Sequence, residues 1–212
     1  MRGLIGKKIG MTQVYDDAGR LLPVTVIEAG PCVVVQRKTA EADGVNSVQV
    51  GFQDQKASRL SKAQLGHFKK AGAEPKFILR DFRLEDGEDL KPGSTIDVGI
   101  FNDTKFVDII GVTKGQGFQG VVKRHRMGGG PQTHGHMSHR RIGAIGQRTW
   151  PARINKNKRM PGHMGNVRVT TQNLKVVQVR PDDNVILVMG AVPGPTGGLV
   201  IVRKAIKKSA KA

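Results

Sequence analysis

Between Asp108 and Asp182 the sequence has no aspartate or glutamate, a run of 73 residues (109–181) in a chain with 17 acids among 212 residues. Within that run, residues 114–168 are dense in glycine, lysine and arginine, and aliphatic residues thin out from 124 to 165. Neither a 3.6-residue nor a two-residue apolar period can be followed through it. Such a segment buries too little apolar surface to offset the roughly 1–2 kcal/mol per residue that backbone ordering costs. Its shape is therefore expected to come from something outside the chain.

The whole chain points to the chemistry of that partner. It carries 35 Lys and Arg against 17 acids, a formal charge of +18, with 38% hydrophobic residues. This is too apolar for a fully disordered chain and too basic for an ordinary enzyme, so a polyanion is the expected partner, nucleic acid foremost. A membrane surface is not expected: the one candidate amphipathic stretch, residues 201–212, has too small an apolar face. No apolar run approaches a membrane span, and no signal-peptide core follows Met1, so a cytoplasmic location is expected. The single Cys32 forms no internal disulfide, agrees with a reducing compartment, and reads as a small buried apolar residue.

Either side of the basic segment the sequence is written in strands. Residues 4–11, 24–28, 32–37, 45–52, 77–82, 95–101 and 106–112 read as strands, broken by turns at Asp16-Asp17-Ala18-Gly19, Gly30-Pro31 and Asp43-Gly44 and by the acidic turn 85–89. Residues 61–71 form the one clear short helix, with Ser61 as N-cap and Gly72 as stop. The strand pattern resumes at 167–171, 174–179, 185–189 and 199–202. Many short strands with little helix predict a mainly β fold: a closed or nearly closed antiparallel β-barrel with a long, basic, mostly irregular extension inserted between strands. The expected organisation is a first barrel part over 1–113, the extension over 114–168, the last barrel strands over 169–202 and a basic tail over 203–212. Each arm of the excursion 120–166 has an extended reach of at most roughly 75 Å, and a loop of that length is usually functional or disordered.

Several motifs inside the extension suggest chemistry that their context does not support. Gly115, Gly117 and Gly120 make a literal G-x-G-x-x-G after a strand. A dinucleotide site would need a helix opening at the third glycine and an acid about 20 residues on. Here three glycines and a proline follow at 128–131, and the next acid is Asp182. The glycines suit close approach of backbone to phosphate, with Lys114, Lys123 and Arg124 neutralising it. His134, His136 and His139, with His125 and His163 nearby, lack the cysteine or carboxylate that usually completes a zinc site; among arginines they suit base stacking and bonding to phosphate or 2′-hydroxyl. No catalytic triad or carboxylate pair can be assembled. No cofactor, metal, catalytic residue or small-molecule substrate is expected.

Blocks in order along the chain carry a family resemblance. They are residues 3–12, 23–28, Gly66-His67-Phe68, 114–124, Ser138-His139-Arg140, Ile145-Gly146-Gln147, 160–165 and 190–194. On these the chain resembles the bacterial large-subunit ribosomal protein L3 (uL3) family over nearly its whole length. The resemblance implies a surface β-barrel and an extension threading 23S rRNA towards the peptidyl transferase centre. It also implies an early assembly role near the 3′ part of that rRNA, and neighbours similar to L14 and L19. Residues 145–153 would be the inner tip. Family members often read Gly-Gln-Asn-Gln-Thr-Pro-Gly there, with the second Gln methylated in some bacteria. Thr149 stands at that position here, so the modification is not carried over. Trp150 in place of Thr and Ala152 in place of Gly make the tip bulkier and stiffer.

The candidate rRNA-binding residues are the cations Lys114, Lys123, Arg124, Arg126, Arg140, Arg141, Arg148, Arg153, Lys156, Lys158, Arg159 and Arg168, together with His134, His136, His139, His163, Gln147 and Trp150. Arginine forks and lysines suit phosphates, and histidine and Trp150 suit stacking. Two other classes fit less well. A nonspecific nucleic-acid compactor would not need such long barrel-coding flanks, and an RNA-modifying enzyme would need clustered carboxylates or a cofactor loop in its proper setting.

Overall fold

Runs of β-branched residues broken by Gly, Pro, Asp and Asn pair almost wherever the chain allows. The computed structural model describes residues 1, 3–85 and 87–208. In chain order its elements are β1 (Gly3–Tyr15), β2 (Leu21–Ala29), β3 (Cys32–Lys38), a one-turn helix α1 (Ala40–Asp43), β4 (Ser47–Asp54), helix α2 (Lys62–Ala71), β5 (Lys76–Arg83) and β6 (Thr95–Ile96). There follow β7 (Phe106–Val112), β8 (Gly117–Gln119), the short helix α3 (Val121–His125), β9 (Gly162–Met164), β10 (Arg168–Arg180), β11 (Val185–Met189) and β12 (Leu199–Lys204). Short 3-10 turns lie at Ala57–Arg59 and Val98–Phe101.

Two compact units result. The first comprises Met1–Val112 and the chain from Arg168 onward; the second is Thr113–Val167. In the first, six strands close an antiparallel barrel in the order β1-β12-β7-β10-β11-β2. The register sets Leu4 opposite Val202, Val202 opposite Ile109 and Ile27 opposite Ile186, and all of these are fully buried. Each such aliphatic side chain contributes about 1.5–3 kcal/mol by leaving water.

Not every strand is a stave of that barrel. β5-β4-β3-β6 form a separate four-stranded sheet, whose Val34, Val48, Val50 and Phe52 share one core cluster with the barrel residues. Successive residues of a strand face opposite ways, yet Leu4 and Ile5 are both buried, as a strand with a layer on each side requires. Cys32 sits at this junction, with its thiol 3.6 Å from the Ile5 carbonyl. Burial pushes that thiol up from 9.0 to about 11, although the hydrogen bond to Ile5 opposes the rise.

α2 follows the sequence reading closely. The Ser61 side chain accepts from the Gln64 N–H and Gln64 reaches back to the Ser61 backbone, while Gly72 closes the helix in the left-handed region. Other expectations need correction. The strand expected over 95–101 is only two residues long, because the chain turns into a 3-10 turn at Val98, burying Val98 and Phe101. The strands expected separately at 167–171 and 174–179 are one strand, β10, whose register shifts between Thr171 and Leu174. Arg203 and Lys204 belong to β12 and not to the basic tail; residues 209–212 of that tail, and Asp86 of the acidic turn, lie outside the described residues. Among the described residues no helix is long and apolar enough to cross a membrane.

Candidate nucleic-acid interface

The second unit, Thr113–Val167, holds every candidate residue except Arg168, which is exposed at the start of β10. It begins and ends on a clasp. Thr113 N–H donates to the Val167 carbonyl at 3.0 Å, and Asn166 N–H donates back to the Thr113 carbonyl at 3.2 Å. Gln116 N–H then donates to Met164 at 2.9 Å, and β8 pairs with β9 through Gly117–Met164, Phe118–His163 and Gln119–Gly162. Gly165 makes this closure possible: its φ is +76°, and a Cβ there would lie 2.1 Å from the Lys114 carbonyl oxygen.

α3 packs its Val121 away from solvent and brings two polar side chains onto one carbonyl. Arg124 Nη1 donates to Met160 O at 2.8 Å, and His125 Nε2 lies 3.0 Å from the same oxygen. The guanidinium lies over Gly162, where a Cβ would be 2.6 Å from Nη1. Arg124 is thus half-buried and partly committed to tying α3 to the returning chain.

Beyond α3 the loop around 129–139 folds on itself. Gly130 N–H donates to His139 O at 3.0 Å, His139 Nδ1 lies 3.0 Å from Pro131 O, and Ser138 N–H donates to His136 Nδ1 at 3.3 Å. The imidazoles of His136 and His139 therefore each meet a local backbone partner, whereas His134 is placed with left-handed φ on the exposed loop. Among the described residues no group of three or more His, Cys, Asp or Glu is placed to hold a metal ion.

Residues 140–159 carry the densest charge and the least structure. Arg140, Arg141, Gln147, Arg148, Trp150, Arg153, Lys156, Lys158 and Arg159 are all exposed, Trp150 to 85%. A single bridge joins Arg148 to Pro151, and a small 130 Å³ cavity lies among Ile145, Gln147, Pro151 and Arg153. Lys114, Lys123, Arg126 and His163 are exposed as well. Residues 113–167 contain no carboxylate, so no cation of this unit has an ion-pair partner within it. The arrangement is a field of uncompensated positive charge on a backbone that glycine keeps low.

The segment is mostly irregular, as expected; β8, α3, β9 and the 129–139 loop are local structure within it that follows no extended apolar period. The sequence reading also passed over Phe118, which is 76% exposed. Its signal was a lone aromatic between Gly117 and Gly120 in an acid-free tract.

Fold and site together define a cationic β-barrel protein with an inserted, acid-free extension. A family model described as Ribosomal protein L3 matches residues 88–185. The chain is 51% identical over 207 residues to the large ribosomal subunit protein uL3 of Thermotoga petrophila, covering 97% of this chain and 98% of that one. It is 48% identical over 211 residues to the uL3 protein of Brachyspira pilosicoli, covering 100% and 97%, and 48% identical over 213 residues to that of Corynebacterium jeikeium, covering 100% and 98%. The chain belongs to the uL3 family, structural proteins of the large ribosomal subunit and not enzymes.

Proposed function

We propose that this chain is a structural rRNA-binding protein of the large subunit in the cytoplasmic ribosome, and that its Thr113–Val167 unit contacts 23S rRNA. The observation that carries this reading is the field of exposed cations, with no carboxylate anywhere in the unit to compensate it. Arg140, Arg141, Arg148, Arg153, Lys156, Lys158 and Arg159 neutralise phosphates, and glycine lets the backbone approach the sugar-phosphate chain. In this reading the barrel anchors the protein near the 3′ part of the rRNA and assists early assembly beside L14- and L19-like neighbours. The tip, with Gln147, Arg148 and Trp150, is directed towards the peptidyl transferase centre.

Binding of the isolated protein to 23S rRNA across salt tests the reading. With about 6 to 10 phosphate contacts, affinity falls by on the order of 10³ to 10⁵ between 50 and 200 mM salt. A flat response would overturn it.

A further inference from the structure

We propose that the outer face of the β8–β9 pair is a seat for one unpaired nucleobase, with the base stacked on Phe118 and His163 beside it. This rests on the RNA-binding reading and assigns a base contact where that reading assigns only charge and the distal histidines and tryptophan.

The pattern of this small ribbon is inverted. Phe118 and His163 are directly opposed cross-strand partners, so their side chains leave the same face. Both are exposed. The neighbouring positions face the other way, where a Cβ at Gly162, the partner of Gln119, would meet the Arg124 guanidinium of α3, and there Gln119 and Met164 are half-buried. Hydrophobic burial alone would exchange Phe118 and Gln119. Instead Gln119 is held by a side-chain hydrogen bond to the Gln116 carbonyl, and the phenyl ring is left in water.

The seat is also held still. The Gln116–Met164 hydrogen bond, the left-handed Gly165 and the Arg124–Met160 bond fix the ribbon from below. A rigid exposed aromatic loses little entropy when a flat ring covers it. Charge selects the occupant. The unit offers only cations, Lys114 and Lys123 among them, so a polyanion carrying flat apolar rings suits it, and unpaired RNA is that chemistry. A duplex keeps its bases stacked on one another and offers backbone and base edges but, away from its ends, no free base face.

The test compares the full chain with Phe118→Leu and Phe118→Tyr variants. Each is titrated with a short adenine-rich single-stranded RNA and with a duplex RNA of equal phosphate number. Phe118→Leu is expected to weaken single-strand binding about tenfold and leave duplex binding unchanged, while Phe118→Tyr keeps both. Equal effects of Phe118→Leu on both RNAs, or no effect on either, overturn the seat and leave the RNA-binding reading standing. Failure of the unaltered chain to bind any RNA overturns that reading as well.

Discussion

Asp108 and Asn173 are joined across two neighbouring strands of the barrel: the Asp108 carboxylate accepts the Asn173 backbone N–H at 2.9 Å. The bond falls where β10 shifts register against β7 and Asn173 takes a left-handed φ of 57°. The same carboxylate accepts the Ile206 N–H at 3.4 Å and faces Arg203 at 3.6 Å. At 1% exposure it is the last acid before the acid-free run, and it serves the barrel and not the extension.

Replacing Asp108 by Ala leaves two backbone N–H groups and a guanidinium facing a vacated buried position. A loss of about 3 kcal/mol in unfolding free energy is expected, read as a lower urea midpoint with unchanged slope. Asp108→Asn keeps one acceptor oxygen and is expected to cost less. Equal midpoints for Asp108→Ala and the unaltered protein would show that the register shift needs no carboxylate.

The two glycines of the β8–β9 closure predict different outcomes. At Gly165 a Cβ meets backbone, the Lys114 carbonyl, in a left-handed conformation; at Gly162 the nearest atoms are those of the Arg124 guanidinium, a side chain that can shift at the cost of its bond to Met160. Gly165→Ala is therefore expected to abolish amide-exchange protection at Gln116, while barrel amides such as those of β7 keep theirs. Gly162→Ala displaces the guanidinium, costs about 1 kcal/mol locally, and leaves the Gln116 amide protected.

That contrast also shows what the sequence made readable. The barrel staves were legible because β-branched runs such as Val185–Met189 end at strong turn residues, and α2 because Ser61 and Gly72 mark its ends. The division of the strands into barrel and second sheet was not, since pairing partners are chosen by long-range packing that no local pattern encodes. Val98 and Phe101 look like strand residues, yet their burial is reached through a 3-10 turn. The charged field of the extension was legible from composition alone. Its base was not, because β8, α3 and β9 are held by a small set of specific hydrogen bonds, Arg124 and His125 to Met160 and Gln116 to Met164 among them, rather than by periodicity.

Amide exchange of the free protein should divide along these lines. Strong protection is expected in the barrel core, intermediate protection at the paired residues of β8 and β9, and exchange close to that of an unfolded chain over residues 140–159, where side chains are almost all exposed. Strong protection across 126–160 without RNA would show that the extension is ordered by its own contacts.

Cys32 supplies a pH prediction. Its folded pKa of about 11 lies above the ordinary 9.0 because burial disfavours the thiolate, so the fold holds the proton more tightly than the unfolded chain does. The associated stability is complete below about pH 9 and is lost as pH rises towards 11. Cys32→Ala should flatten the alkaline part of the stability curve relative to the unaltered protein. The native thiol should also react with an alkylating reagent at neutral pH far more slowly than the denatured one; equal rates would contradict its burial.

The tip and the C-terminal tail separate charge from placement. Arg148, Trp150 and Arg153 are exposed within six residues of one another in the irregular part of the acid-free unit, whereas Lys207 and Lys208 follow the last barrel strand, and Lys208 already lies 5.0 Å from the centre of the Phe106 ring. Both sets are cationic, so a protein that merely neutralised phosphate would lose similar function with either. If the tip is directed at the peptidyl transferase centre, replacing Arg148, Trp150 and Arg153 together by Ala reduces peptide-bond formation by reconstituted large subunits well beyond the effect of replacing Lys207 and Lys208. Activity retained by a variant combining Arg148→Lys, Trp150→Phe and Arg153→Lys would locate the requirement in stacking and charge; equal losses from the two sets would remove any special role for the tip and leave long-range electrostatics as the whole of its contribution.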